Sequence, residues 1–403
     1  MDHCEAEEVG LSKERLERIR PKFQALIDSK RAPGFQLAVA RRGKLAFIDR
    51  MGWMDVEGKI PVGEDSIFRL YSMTKPIATA ALMILYEEGK IGLEEPVWRY
   101  IPAFKDLKVY AGQERGRPLL EPMRRAITIL DLTLHCAGLG YGLFDDSPVE
   151  ELYRRSGIFR EGLGVMKVPL REFIDALVQL PLANQPGARW RYSVAVDVIG
   201  YLVELVSGLP FDVFLKERIF LPLGMADTGF FVPPEKLGRF AALYTPAENG
   251  EIRCIDRGAA SPFAQSTATP SGGGGLVSTI RDYLRFDRMM LGGGESDGVR
   301  ILGRKTVEKM TRNHLAASLL PRNMGGIDSP GCGFGPGYGI CLDEAQSGMA
   351  ISAGSYYWGG AASTFSFVDP SEDLIGIMMT QVIDNQLPFD QYFRQLLSQA
   401  IID

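Results

Sequence analysis

Ser72, Met73, Thr74 and Lys75 stand at the mouth of an apolar segment, Pro76 to Tyr86, and the first and last of the four can do chemistry together. Residues three apart on a helix share a face, so the lysine amine can reach the serine hydroxyl. A hydroxyl is a poor nucleophile until a neighbour accepts its proton. A chain of this length holds roughly one Ser-x-x-Lys by chance, and this is the single one here. Its setting therefore decides between a nucleophile and a serine helix cap followed by a solvated lysine. Ile77 to Tyr86 is apolar nearly all round, which predicts a helix running through a core and not along a surface. Pro76 suits the first turn and Gly89 the end. A lysine at the start of such a helix is held near a cleft.

Two further segments can complete a site. In Pro186-Gly187-Ala188-Arg189-Trp190-Arg191-Tyr192-Ser193-Val194 a turn delivers Tyr192 just before an apolar helix, Val196 to Val206. Beside a lysine ammonium a phenolate is favoured, and it can take the Ser72 proton; the plainer alternative is a core tyrosine with a satisfied hydroxyl. In Ser355 to Phe365, Trp358-Gly359-Gly360-Ala361 leads into the C-terminal strands. Two glycines at the start of a strand let a ligand come close to the backbone; a bulge packed on the core reads equally well. Acyl transfer needs two N–H donors aimed at the developing oxyanion. The amides of Ser72, at a helix start, and of Ala361 can supply them, with Trp358 as an apolar wall.

Composition removes several other classes. The 403 residues, 46% of them apolar, allow two domains, or one large domain with an insertion, around a substantial core. Net charge is −5 from 45 basic and 50 acidic residues, with no basic run, which argues against a nucleic-acid partner. No apolar stretch reaches membrane-spanning length. The acidic start lacks the apolar core of a secretion signal. Cys4, Cys136, Cys254, Cys332 and Cys341 are scattered and odd in number, so no disulfide framework is expected and the chain reads as cytoplasmic. His3, His135 and His314 form no metal-binding cluster, and no metal or cofactor is expected. No serine has Gly-x-Ser-x-Gly between a strand and a helix, the setting of a nucleophile elbow, so a serine enzyme here must activate its hydroxyl without that device.

The elements that must position these residues follow from periodicity. Leu16, Ile19, Phe23, Leu26 and Ile27 have helical spacing within 11–30. Phe35 to Ala40 and Leu45 to Asp49 flank Arg41-Arg42-Gly43-Lys44 as a hairpin, and Thr364 to Val368 and Leu374 to Thr380 flank Asp369 to Asp373 as another. A last helix spans about 389–401. The expected fold class is α+β: one antiparallel sheet built from both ends of the chain and flanked by helices (1–70 and 270–403), with a mostly helical domain (71–269) inserted and the active site between them.

In this order and spacing, Ser72-x-x-Lys75, Leu134-His135-Cys136-Ala137-Gly138-Leu139, Tyr192-Ser193-Val194, Gly274-Gly275-Leu276-Val277-Ser278-Thr279 and Trp358-Gly359-Gly360 resemble the serine β-lactamase and penicillin-binding superfamily. The resemblance is closest to its esterase branch, the family VIII carboxylesterases, and covers nearly the whole chain. It implies a β-lactamase-like fold, an acyl-enzyme on Ser72, proton shuttling by Lys75 and Tyr192, and deacylation by water. It makes His135 a structural loop residue, and Ser278 or Thr279 with Asp282 a helix cap. Tyr141, Phe144, Val194, Trp358, Gly359 and Gly360 are the expected substrate contacts. Where relatives carry Lys-Thr-Gly or a His variant, this chain has Trp358-Gly359-Gly360, and Val194 replaces a frequent asparagine. A β-lactam or D-alanyl peptide presents a carboxylate whose burial calls for a cation. Losing that cation points to uncharged esters, small molecules, and the bulky Trp358, Tyr356, Tyr357 and Phe144, with the resemblance, point to short acyl chains. A β-lactamase, a D-aminopeptidase-like hydrolase or an acyltransferase using the same acyl-enzyme are the alternatives, and a non-catalytic binding protein that kept the fold is the rival from outside enzymes.

Overall fold

The turn expected at Arg41 to Lys44 joins two strands, β1 (Gly34–Arg41) and β2 (Lys44–Asp55). Arg42 and Gly43 have φ of 51° and 73°, the paired left-handed conformations whose twist matches that of the flanking strands. The structure, a computed structural model, describes residues 2–115, 117–158, 168–266 and 269–403. β2 runs well past Asp49 because its far end pairs with a short β3 (Ile60–Pro61).

Five strands come from the C-terminal part: β4 (Cys332–Gly335), β5 (Tyr338–Cys341), β6 (Tyr356–Gly359), β7 (Phe365–Asp369) and β8 (Leu374–Met379). The sheet order is β4-β5-β6-β7-β8-β1-β2-β3, with every neighbouring pair antiparallel. The two ends of the chain meet at its centre, where Gln36 lies opposite Met379 and Arg41 opposite Leu374. Alternation along β1 assigns the faces. Phe35, Leu37 and Val39 pack with Leu16, Phe23 and Phe393 of α1 (Lys13–Leu16), α2 (Ile19–Asp28) and a C-terminal helix, Phe389–Ser398. Ala38 and Ala40 join the larger core on the other side. The helix expected within 11–30 is thus two. Pro21 has no N–H for the carbonyl of Glu17 and its ring crowds that carbonyl, so the break falls there.

α3 (Thr74–Glu87) is buried from Thr74 to Leu85, as its all-round apolar sequence predicts. It packs against α4 (Ala195–Ser207), while α5 (Ile280–Leu291) covers β8 and β1 on the inner face. Thr279 caps α5, its hydroxyl accepting from the Asp282 amide at 3.2 Å; Ser278 lies instead in a two-residue strand beside Phe68. The middle of the chain also contains two hairpins, Lys108–Glu114 with Arg117–Pro122 and Leu243–Pro246 with Ile252–Asp256. Among the described residues no single helix is long and apolar enough to cross a membrane.

One carboxyl is trapped between sheet and helix. Asp287 of α5 is fully buried and accepts a hydrogen bond from the Ser366 hydroxyl of β7. Burial lifts its pKa to about 8, against the opposing pull of that bond. Between the ordinary value of 3.8 and about 8 the folded state holds a proton that the unfolded chain has released, so stability falls as pH rises through this window and levels off above it. Asp287→Asn removes the titrating group. Thermal unfolding of the variant is expected to lose much of the alkaline decline, a differential of several kcal/mol in the limit of full burial. A uniform shift at mildly acidic and mildly alkaline pH alike would show that Asp287 is not the titrating group.

Candidate active site

The chain enters α3 through a short 3-10 turn, Tyr71–Met73, so Ser72 sits one turn ahead of the helix and not at its first residue. Tyr71 takes a positive φ of 47°, a conformation unfavourable for a residue with a Cβ and sustained only when the surroundings impose it. Those surroundings are visible: the Leu70 amide donates to the Leu276 carbonyl at 2.9 Å, the Leu276 amide to Thr74 Oγ1 at 3.1 Å, and the Tyr283 hydroxyl to the Met73 carbonyl at 3.0 Å. The turn that carries Ser72 is fixed from both sides.

Lys75 and Tyr192 converge on Ser72. Lys75 Nζ donates to Ser72 Oγ at 3.1 Å and to the Gly273 carbonyl at 2.6 Å, and the lysine is 1% exposed. The Tyr192 hydroxyl is 2.7 Å from Ser72 Oγ, and the lysine ammonium stands 4.6 Å from the Tyr192 ring centre. Tyr192 is held by its ring, which lies between those of Tyr141 at 5.8 Å and Trp190 at 6.2 Å, with Trp358 at 5.5 Å and Phe144 at 5.3 Å.

His135 sits behind Tyr192, with ring centres 4.7 Å apart. Burial, and then the Lys75 charge, push its pKa well below the ordinary range, so it is neutral. Its Nδ1 accepts from the Ser193 amide at 3.3 Å, and its carbonyl from the Arg191 amide at 2.8 Å. It thus braces the segment that carries Tyr192. Burial, followed by Tyr192 and Asp197, raises Tyr141 well above the usual tyrosine value and keeps it protonated.

A cavity of about 730 Å³ opens over Ser72. Tyr141, Phe144, Tyr192 and Trp358 form walls, and Gly359, Gly360 and Ala361 form a rim. Val194 is not in the lining. It is fully buried at the start of α4, its amide donating to the Gly140 carbonyl at 3.2 Å, because the chain must turn inward there to begin the helix. The glycines also differ from expectation: Gly359 ends β6, Gly360 follows it, and neither begins a strand. A Cβ on Gly360 would lie 2.2 Å from the Leu70 carbonyl oxygen. What approaches the backbone at Gly360 is thus the turn that carries Ser72. Among the described residues, the Ala361 amide donates to no backbone or side-chain acceptor.

Several contributors were missed by the sequence reading. Asp197 of α4 is fully buried, and its Oδ1 accepts from the Ser271 hydroxyl at 2.6 Å and the Gly273 amide at 3.0 Å. It fixes the residue whose carbonyl receives Lys75. Burial raises its pKa, while Ser271 and the Lys75 charge hold it down. A carboxylate inside the apolar run Val196-Asp197-Val198 was a readable signal. Glu150 gave none: it is buried, accepts from the Leu143 amide at 3.0 Å, and pairs with Arg191 at 2.9 Å, which holds the Tyr141 to Phe144 loop. Arg322 also borders the cavity. Among the described residues no three His, Cys, Asp or Glu side chains are grouped to hold a metal ion.

Comparison with known proteins agrees with this architecture. Residues 19–398 match the Beta-lactamase family. Protein Rv1367c of Mycobacterium tuberculosis is 36% identical over 85% of this chain and 84% of its own length. Esterase EstB of Burkholderia gladioli is 31% identical over 90% and 89%. Among solved structures, EstCE1, described as a hydrolase with promiscuous acyltransferase activity, superposes with a TM-score of 0.83 at 27% identity, covering 96% of this chain and 99% of its own. With a β-lactamase-like sheet, a family match over nearly its full length and an esterase among its relatives, the chain belongs to the beta-lactamase family of serine hydrolases, in its esterase branch.

Proposed function

We propose that this protein is a serine carboxylesterase that hydrolyses short-chain acyl esters through an acyl-enzyme on Ser72. The observation that carries the reading is the convergence of two proton-handling groups on one buried-edge hydroxyl, Tyr192 at 2.7 Å and Lys75 at 3.1 Å. As Ser72 Oγ attacks the ester carbonyl carbon, its proton passes to the oxygen of Tyr192, which acts as the phenolate beside the Lys75 ammonium and becomes a neutral phenol. The amides of Ser72 and Ala361 stabilise the oxyanion. The proton then goes to the departing alcohol, and water repeats the sequence in reverse to release the acid. Trp358, Phe144 and Tyr141 favour small acyl groups by crowding the space beside Ser72.

Acyl transfer to an alcohol is the second reading, favoured by the activity ascribed to EstCE1 and sharing the first half-reaction. We also infer a mostly helical unit over 71–269 inserted in the sheet-bearing unit, and a cytoplasmic setting, supported by five free cysteines, three of them buried.

Turnover of p-nitrophenyl esters of rising chain length, beside a chromogenic cephalosporin and with a competing alcohol, tests the reading. Rates should fall as the acyl chain lengthens, with free acid as the main product and the cephalosporin slower than the best ester. Cephalosporin hydrolysis faster than every ester would replace the reading with a β-lactamase, and a transferred ester as the main product would replace it with an acyltransferase.

A further inference from the structure

Trp358-Gly359-Gly360 stands where a cation would be expected, yet the structure brings a cation into the same cavity from elsewhere. Arg322 opens a short hairpin, Arg322–Met324 with Ile327–Ser329, and borders the cavity together with Met324 and Ser329.

Four arginines are buried among the described residues: Arg41, Arg69, Arg322 and Arg394. Three have carboxylates. Arg41 pairs with Glu372 at 2.7 Å, Arg69 with Asp256 at 2.6 Å and Arg394 with Asp390 at 2.8 Å. Arg322, 5% exposed, pairs with no carboxylate among the described residues. Its Nη2 donates to the Tyr357 hydroxyl at 2.6 Å, and its Nε is out of contact with solvent and has no acceptor. The guanidinium lies against three rings, those of Trp190 at 5.4 Å, Trp358 at 5.6 Å and Tyr357 at 5.9 Å. Ring faces offset part of the desolvation of a cation, but they accept nothing from donors in the guanidinium plane. A buried charge left in this condition is expensive unless a partner arrives. The partner that fits a rigid planar fork is a carboxylate.

We propose that Arg322 is a substrate-binding residue that receives a carboxylate of the ester, so that the preferred substrates carry a free carboxylate remote from the scissile bond. Trp358 links the two ends of the cavity, with its ring 5.6 Å from the guanidinium and 5.5 Å from the ring of Tyr192. The carboxylate therefore sits one indole away from the reacting hydroxyl, past the apolar wall. The carboxylates of Asp384 and Asp390 also border the cavity; Asp390 is paired with Arg394, and neither pairs with Arg322. This inference rests on the esterase reading and names its substrate class.

The test uses matched esters that differ only in a charge. Mono-p-nitrophenyl adipate is compared with its methyl-capped diester, which probes the acyl side, and 4-acetoxybenzoate with its methyl ester, which probes the alcohol side. For the wild-type protein, kcat/KM should favour the free acid in at least one pair by about tenfold or more, the range of a hydrogen bond between charged groups. In Arg322→Met the ratio of acid to capped ester should fall to about one; Arg322→Lys should keep part of the preference. Free adipate should inhibit the wild type competitively against the capped ester, a result that does not depend on a variant folding. Absence of any preference or inhibition, or an equal fall for acid and capped ester in Arg322→Met, overturns the proposal. Hydrolysis that depends on Ser72 but ignores the carboxylate defeats this inference alone, whereas no hydrolysis of any of the four defeats the esterase reading and this inference with it.

Discussion

Alanine at Ser72 is expected to lower kcat for p-nitrophenyl butyrate by about ten-thousand-fold or more, because no second hydroxyl is placed to take its role and the effect of a nucleophile is not shared out among its neighbours. Ser72 Oγ is the one atom that both Lys75 and Tyr192 approach. The fold should be untouched, since among the described residues Ser72 Oγ hydrogen-bonds only to those two side chains and the turn is held by backbone and threonine contacts at Leu70 and Thr74. Acid-quenched wild-type protein should carry the butyryl group on the peptide containing Ser72, and the variant none. Retention of most activity, or an adduct elsewhere, would sink the acyl-enzyme assignment.

The second large effect is at the proton-handling pair. Tyr192→Phe deletes one oxygen and leaves the ring between Tyr141 and Trp190, so a loss of activity cannot be blamed on packing. Lys75→Met keeps the stem in its buried channel while removing the donor to Ser72 Oγ and Gly273. Each change should lower kcat by about a thousandfold, within the usual range for general acid–base groups. The double variant should be scarcely worse than the worse single one, because a proton relay is broken once by either loss. Multiplicative losses would mean that the two residues act in separate steps, and a Tyr192→Phe enzyme within tenfold of wild type would leave Lys75 as the sole base.

The parts of the site readable from the chain were those set by local geometry. Ser72 and Lys75 share a helix face by spacing, and the apolar run behind them predicted the burial that α3 shows. The hairpins around Arg42-Gly43 and Pro370 to Asp373 were visible because turn chemistry is written in a few consecutive residues. Tyr192 stood out as the residue a turn delivers to the head of an apolar helix, and the resemblance to a known superfamily joined it to Ser72.

What escaped notice depends on which segments meet. Val194 was expected to contact substrate from the resemblance, in which it takes the place of a frequent asparagine, but it is fully buried at the start of α4 and outside the cavity lining. Gly359 and Gly360 were expected to let a ligand approach the backbone, whereas the group packed against Gly360 is the carbonyl of Leu70. Glu150 and Arg322 lie in segments whose polar character resembles a solvated surface, and neither carries a local mark of burial.

By itself the sequence determined the pairing of Ser72 with Lys75, the hairpins and the core helix, since each follows from neighbours within a few residues. Only the tertiary structure decided that Tyr192 reaches Ser72, that Asp197 fixes Gly273 beneath Lys75, and that Arg322, without a carboxylate partner among the described residues, enters a cavity whose own motif had lost its cation. The physical reason is that charge balance and hydrogen-bond satisfaction in a buried site are properties of groups distant in sequence, and they acquire values only when folding removes water from between them.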